Sequence, residues 1–242
     1  MKKLDLRLIN PRDYDDKIMT PEEILAWFQN ENAYWVYEGE PDPKKPHAEL
    51  TSGLCSDGFF DCLKILRYPN IAEILGHQLA KRLIHNGWLS HGQVDWVVSS
   101  SYAAITFGHE TAKSLGAIFM MTEKDEKDPK KMVWRRMTIP NNTHVFQVEE
   151  LITTSGTFQE VYRAVKEGNS EKFVNFLGPV GALVHRPPKL PIVYEGAFGG
   201  RQVVALIEKE VRAFRPEECP YCKIGSFRYR PKTHWAELTG KK

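Results

Sequence analysis

Val145-Phe146-Gln147-Val148-Glu149-Glu150-Leu151-Ile152-Thr153-Thr154-Ser155-Gly156-Thr157 is the stretch from which the rest of the chain can be read. It opens as an apolar run suited to a buried strand, continues with two carboxylates, and ends in a hydroxyl-rich turn that starts a helix. That order sets two anionic side chains and a group of backbone N–H donors at one strand end. The carboxylates can accept hydrogen bonds from a pair of sugar hydroxyls. The turn and helix start form an anion cradle, because the first N–H groups of a helix lack internal acceptors and its dipole favours negative charge. A ligand carrying a ribose and a 5′-phosphate would satisfy both halves.

Outward from this stretch, strands and helices alternate. Residues 94–98 form a short apolar strand, 103–115 a helix, 117–121 a strand, 123–138 a charged loop and 144–148 the motif strand. Residues 158–166 then form a helix, 180–184 a strand and 203–207 a last strand. Such alternation predicts a parallel sheet with helices on its faces, and ligands in such sheets bind beyond the carboxyl ends of the strands. Further upstream, Thr20-Pro21-Glu22-Glu23 is a helix start with a capping box, running to about residue 30. Aromatic Tyr34-Trp35-Val36-Tyr37 follows, and residues 38–46, with three prolines, form a loop. A second helix begins at Pro69, carries Ile71, Leu75, Leu79 and Leu83 at helical spacing, and ends near Gly87.

The 242 residues suit one domain with extensions, and an apolar share of 42% allows a full core. No apolar run reaches membrane-spanning length, and the N-terminus lacks the hydrophobic core and cleavage site of a signal peptide. The expected compartment is the cytoplasm. A net charge of +2 is too small to argue for nucleic acid. Four cysteines in such a chain point to thiols or a metal before disulfides.

The opening stretch resembles the phosphoribosyl pyrophosphate (PRPP) binding motif of type I phosphoribosyltransferases: a hydrophobic strand, two acidic residues, two apolar residues and a Thr/Gly-rich phosphate loop. Glu150 stands where that motif usually has Asp, and Ser155 replaces one small loop residue, so this position must avoid the positive φ open to glycine. Three flanking segments resemble orotate phosphoribosyltransferases, and the likeness spans roughly residues 47–210. Ser52, Gly53, Ser56, Phe59, Phe60 and Asp61 match an N-terminal segment whose aromatic pair lies beside the base, although Thr51 replaces a ligand-contacting lysine. Ser99, Ser100, Ser101 and Tyr102 occupy the place of the pyrophosphate loop, with Ala103 in place of a lysine. In the charged loop Lys124 and Lys127 match two lysines of a mobile, often subunit-shared flap, while Glu123 and Pro129 replace its arginine and histidine.

Glu218-Cys219-Pro220-Tyr221-Cys222-Lys223-Ile224-Gly225 resembles half of a zinc ribbon or knuckle. Cys55, Cys62, His47 and His234 are candidates for the two further ligands, and nothing in their spacing selects among them. Plain reduced cysteines in a tail turn are the competing view. Arg228, Arg230, Lys232 and Trp235 make the tail beyond it basic and aromatic, as a docked terminus can be.

The resemblance implies an α/β fold of the phosphoribosyltransferase type: a Rossmann-like parallel sheet flanked by helices, with an N-terminal hood and a short Cys-x-x-Cys appendage. The implied divisions are 1–68 for the hood and base-side segment, 69–210 for the PRPP-binding core and 211–242 for the appendage. The implied reaction joins a nucleobase, best matched by orotate, to PRPP with release of pyrophosphate, assisted by Mg²⁺, in a homodimer. Transfer to a purine base and a non-catalytic PRPP- or nucleotide-binding regulator are the alternatives. In the implied site Glu149 and Glu150 hold the ribose hydroxyls. Thr153, Thr154, Ser155, Gly156 and Thr157 bind the 5′-phosphate, and Ser99, Ser100, Ser101 and Tyr102 face the pyrophosphate. Lys124 and Lys127 neutralise the leaving group, Ser52, Phe59 and Phe60 lie on the base side, and Cys219 and Cys222 are potential zinc ligands.

Overall fold

Strands rich in Val, Ile and Phe along their whole length need cover on both faces, and in the computed structural model the central sheet has it. The structure describes residues 3–240 apart from 171, 193 and 195–199, so the outermost residues of both termini lie outside the described residues. Two 3-10 turns lead into α1 (Pro21–Asn30), β1 (Tyr34–Val36), β2 (His47–Glu49), β3 (Cys55–Ser56), β4 (Gly58–Phe60) and α2 (Leu63–Leu66). The middle of the chain forms α3 (Pro69–His85), β5 (Trp96–Ser99), α4 (Ala103–Leu115), β6 (Ile118–Met121), β7 (Glu123–Lys124) and β8 (Met132–Val133). It continues with β9 (Thr143–Ile152), α5 (Gly156–Gly168), β10 (Val174–His185) and β11 (Val203–Glu208). The tail comprises β12 (Ala213–Phe214), α6 (Pro220–Lys223), β13 (Arg228–Tyr229) and α7 (Trp235–Thr239).

The main sheet is parallel throughout, in the order β11-β10-β9-β5-β6. One face packs Val97, Phe146 and Leu183 into a cluster with Leu75 and Leu79 of α3, Phe107 of α4 and Ile24 and Phe28 of α1. The other face packs Val98 and Val145 against Val161, Ala164 and Val165 of α5. Helices α3 and α4 cross at backbone contact: a Cβ on Gly76 would come within 2.6 Å of the Glu110 carbonyl carbon. Thr20 caps α1 reciprocally with Glu23, as the capping box predicts. Among the described residues no helix is long and apolar enough to cross a membrane.

The structure alters two expectations. Strand β9 runs through both glutamates to Ile152, because Leu151 and Ile152 stay in register with Val184 and His185 of β10. The carboxylates therefore sit in the ladder and not past its end. The charged run 123–138 is partly a hairpin, with β7 and β8 paired antiparallel. Asp125 drives its turn by accepting the N–H groups of Lys127 and Asp128 at 2.8 and 3.1 Å. The hairpin is tied to α5, where Arg163 donates to the Met132 carbonyl at 3.0 Å.

The tail joins the N-terminal segment in a second sheet, ordered β12-β3-β2-β13. Phe60 of β4 lies in the main core, edge-on to Phe28 at 5.8 Å and against Tyr34 at 4.8 Å.

Candidate active site

Strand β5 feeds α4 and then β6 on one side, whereas β9 feeds α5 and then β10 on the other. The sheet order therefore reverses between β5 and β9, and the connections leaving their carboxyl ends part and leave a crevice. A cavity of about 550 Å³ lies there. Ser100, Ser101 and Tyr102 wall it from the β5–α4 turn, Glu150 from β9, and Thr154, Gly156 and Thr157 from the start of α5. The hairpin closes the remaining side with Lys124, Pro129, Lys130 and Met132.

Both helix starts at this cavity lack a side-chain cap, so their first N–H groups are available to an anion. Ser155 has φ −72°, so the residue replacing the small position stays out of the left-handed region, as its Cβ requires. Tyr102 enters α4 with φ +68°, a conformation few non-glycine residues adopt and one that costs about 1–3 kcal/mol. Its exposed ring sits 5.5 Å from the Lys124 ammonium, which links the hairpin to the β5–α4 turn.

The two glutamates are not equivalent. Glu150 reaches the cavity wall, whereas Glu149 is 1% exposed and lies behind it. Ser100 Oγ donates to Glu149 Oε2 at 2.6 Å, and Oε1 has no hydrogen-bond partner among the described residues. Burial pushes the Glu149 carboxyl up to about 8, and the adjacent Glu150 charge adds to the shift. Burial likewise pushes Glu150 up to about 7. Ser101 Oγ, on the wall, is another buried oxygen without a hydrogen-bond partner among the described residues.

The other predicted positions divide. Ser99 Oγ is spent on the Ser100 carbonyl at 2.9 Å, and Ser155 Oγ accepts from Gln159. Thr153 is not on the wall, and neither is Lys127, whose place is taken by Lys130. Lys130 stands in a run of similar lysines, and only the turn geometry separates it from its neighbours. Phe60 is committed to the core, so its ring is not at this cavity. Phe59 and Thr51 instead wall a second cavity of about 160 Å³, together with Arg230 and Lys232 of the tail. Ser52 lies in the turn beside Thr51, outside both cavity walls. Of the candidate partners of Cys219 and Cys222, His47 and Cys55 converge on them. Cys62 instead donates to the Glu150 carbonyl at 3.4 Å, and His234 pairs with Thr233 at 2.8 Å.

No family model matches the chain. In shape it is similar to the orotate phosphoribosyltransferase of Aeropyrum pernix, with a TM-score of 0.52, 13% identity, and coverage of 76% of this chain and 93% of that one. It is also similar to the adenine phosphoribosyltransferase of Leishmania tarentolae, with a TM-score of 0.50, 16% identity, and coverage of 78% and 89%. At those identities the likeness establishes the phosphoribosyltransferase fold, which serves more than one base. Sequence discriminates further: the orotate phosphoribosyltransferase of Pelotomaculum thermopropionicum is 31% identical over 209 residues, 86% of this chain and 94% of that protein. With that likeness running through the switch-point cavity and the motif strand beneath it, the chain belongs to the orotate phosphoribosyltransferase family.

Proposed function

We propose that this protein transfers the phosphoribosyl group of PRPP to orotate and releases pyrophosphate. The observation that carries the proposal is the division of one cavity into an anion side and a hydroxyl side. Two uncapped helix starts with Lys124 and Lys130 form the first, and Glu150, backed by Glu149, forms the second. The 5′-phosphate would lie on Thr154, Gly156 and Thr157, and the pyrophosphate between the Ser100–Tyr102 turn and the hairpin.

In the reaction the C1–oxygen bond breaks and its electron pair leaves with pyrophosphate, while a base nitrogen supplies the pair for the new C1–nitrogen bond. Positive charge develops on the ribose ring and negative charge on the leaving group. The carboxylate of Glu150 faces the first, and Lys124 and Lys130 face the second, so positioning and electrostatics supply the catalysis. Hard oxygen donors fit Mg²⁺: Glu150 and the unpaired Oε1 of Glu149 would hold it, largely through water, and there it would neutralise pyrophosphate oxygens. On the base side, Lys232 would supply the cation that Thr51 does not, since both wall the cavity beside Phe59. A homodimer accords with this proposal.

Incubation with PRPP, Mg²⁺ and orotate, following pyrophosphate release and the loss of orotate absorbance, tests it. Stoichiometric release with orotate is the expected result. Release with adenine but not orotate would overturn the base assignment, and PRPP binding without release for any base would overturn the enzymatic role.

A further inference from the structure

Four residues far apart in sequence meet where the tail docks on the N-terminal sheet. His47 lies on β2, Cys55 on β3, Cys219 at the N-cap of α6 and Cys222 within α6. Their ligand atoms all lie within 4.8 Å of one another. Cys55 and Cys222 sulfurs are 3.5 Å apart, and His47 Nε2 is 3.6 Å from the Cys219 sulfur and 3.4 Å from that of Cys222. Tetrahedral zinc, with bonds of about 2.3 Å to sulfur and 2.0 Å to nitrogen, needs about 3.8 Å between sulfurs and about 3.5 Å between sulfur and nitrogen. The cluster has the dimensions of such a shell. All four cysteines are free thiols, and a disulfide would need the two sulfurs at about 2.05 Å.

We propose that His47, Cys55, Cys219 and Cys222 bind one zinc ion, which fastens the C-terminal segment to the N-terminal sheet. The imidazole is already set in the required tautomer. Ser226 Oγ lies 2.6 Å from the Lys45 carbonyl and gives its single proton there. It can then only accept from His47 Nδ1, at 2.9 Å. The ring proton is thus on Nδ1, and the lone pair of Nε2 points at the sulfurs, the outer-sphere arrangement that orients metal-bound histidines.

The chain around the cluster is built for the same purpose. Gly225, at φ +81°, turns the backbone after the Cys-x-x-Cys knuckle and donates to the Cys222 carbonyl at 3.0 Å. The turn brings β13 alongside β2, with Arg228 in register with His47. Zinc binding displaces a proton from each of three thiols, leaving the centre with one net negative charge. The Arg228 guanidinium, 4.0 Å from the Cys55 sulfur, offsets it. Beyond the cluster Arg230 pairs with Glu49 at 2.9 Å and Trp235 approaches Phe59 at 6.4 Å, so the ion would hold the tail against the Phe59 wall.

The test is elemental analysis of the full-length protein as purified, without added chelator. About one zinc per chain is expected, with near-complete loss in C219S and in C222S and full retention in C62S, whose thiol lies outside the cluster. Because C219S can fail to fold, a second measurement uses the parent protein. Titration with an organomercurial in the presence of a zinc indicator should release one ion as the three ligand thiols react. Folded protein with less than about a tenth of an ion per chain would overturn the proposal. So would zinc loss in C62S with retention in C219S, or a Cys55–Cys222 disulfide found by mass spectrometry. Zinc content is read without reference to turnover, so its failure is separable from failure of the transferase.

Discussion

Replacing Glu149 with Gln should make the ligand-free protein harder to unfold at pH 9 and leave it nearly unchanged at about pH 4. The Glu149 carboxyl is raised from 4.5 to about 8 chiefly by burial. The folded protein therefore keeps a proton that the unfolded chain releases above its ordinary carboxyl range. The stability this group contributes is full below about pH 4.5 and is lost progressively as pH rises from there to about 8. The difference between 4.5 and about 8, at about 1.4 kcal/mol per pH unit, sets an upper bound of about 5 kcal/mol on the cost of ionising this group in place. Relaxation around the carboxylate reduces the gain from the neutral variant to about 2–3 kcal/mol. In a chain of this length that corresponds to about 5–10 °C in Tm at pH 9. At about pH 4 Glu149 is protonated in the folded protein and largely so in the unfolded chain, and Gln keeps both the acceptor for Ser100 Oγ and a neutral donor in place of the acid proton. Thermal and urea unfolding at the two pH values measure the effect. Equal destabilisation at both would refute the assignment of a buried, protonated Glu149.

Glu150→Gln should weaken PRPP binding about tenfold or more by calorimetry, since a charged acceptor at the wall is lost. In the parent, PRPP binding with Mg²⁺ should release protons between about pH 6 and 8, because both raised carboxyls must ionise to meet the ligand; buffer-independent binding heats would contradict this. Lys130→Ala should lower kcat about 10- to 100-fold with a smaller change in PRPP affinity, and Lys127→Ala should lower it less, in steady-state assays of pyrophosphate release. Lys232→Ala should raise KM for orotate and leave PRPP binding unaltered; equal loss of both would place Lys232 in a purely structural role.

Local patterns in the chain carry local structure. The capping box at Thr20 and the span of α4 from 103 to 115 could be read directly, because caps and helical periodicity depend on residues within a turn or two of each other. The alternation of apolar runs gave the parallel sheet, since each run needs cover on both faces. The glutamate pair and the hydroxyl-rich turn marked the side of the cavity proposed for the sugar-phosphate, because strand, turn and helix start are contiguous.

What depends on residues far apart was out of reach. Periodicity does not tell which strand neighbours β5, so the crevice between β5 and β9 emerged only from the folded order. The side-chain directions that send Glu150 to the wall and Glu149 behind it, or Lys130 inward in place of Lys127, are set by register and by the Asp125 turn. Phe59 and Phe60 are adjacent in a matching motif, yet packing against Phe28 claims one ring for the core. His47 and Cys55 were two names among four until β13 paired with β2 and carried the knuckle onto them. By itself the sequence determined most of the elements and pointed to the proposed sugar-phosphate chemistry, through interactions that reach only a few residues. Tertiary structure decided which side chains share a cavity or a metal-sized shell, because long-range packing alone brings those atoms together.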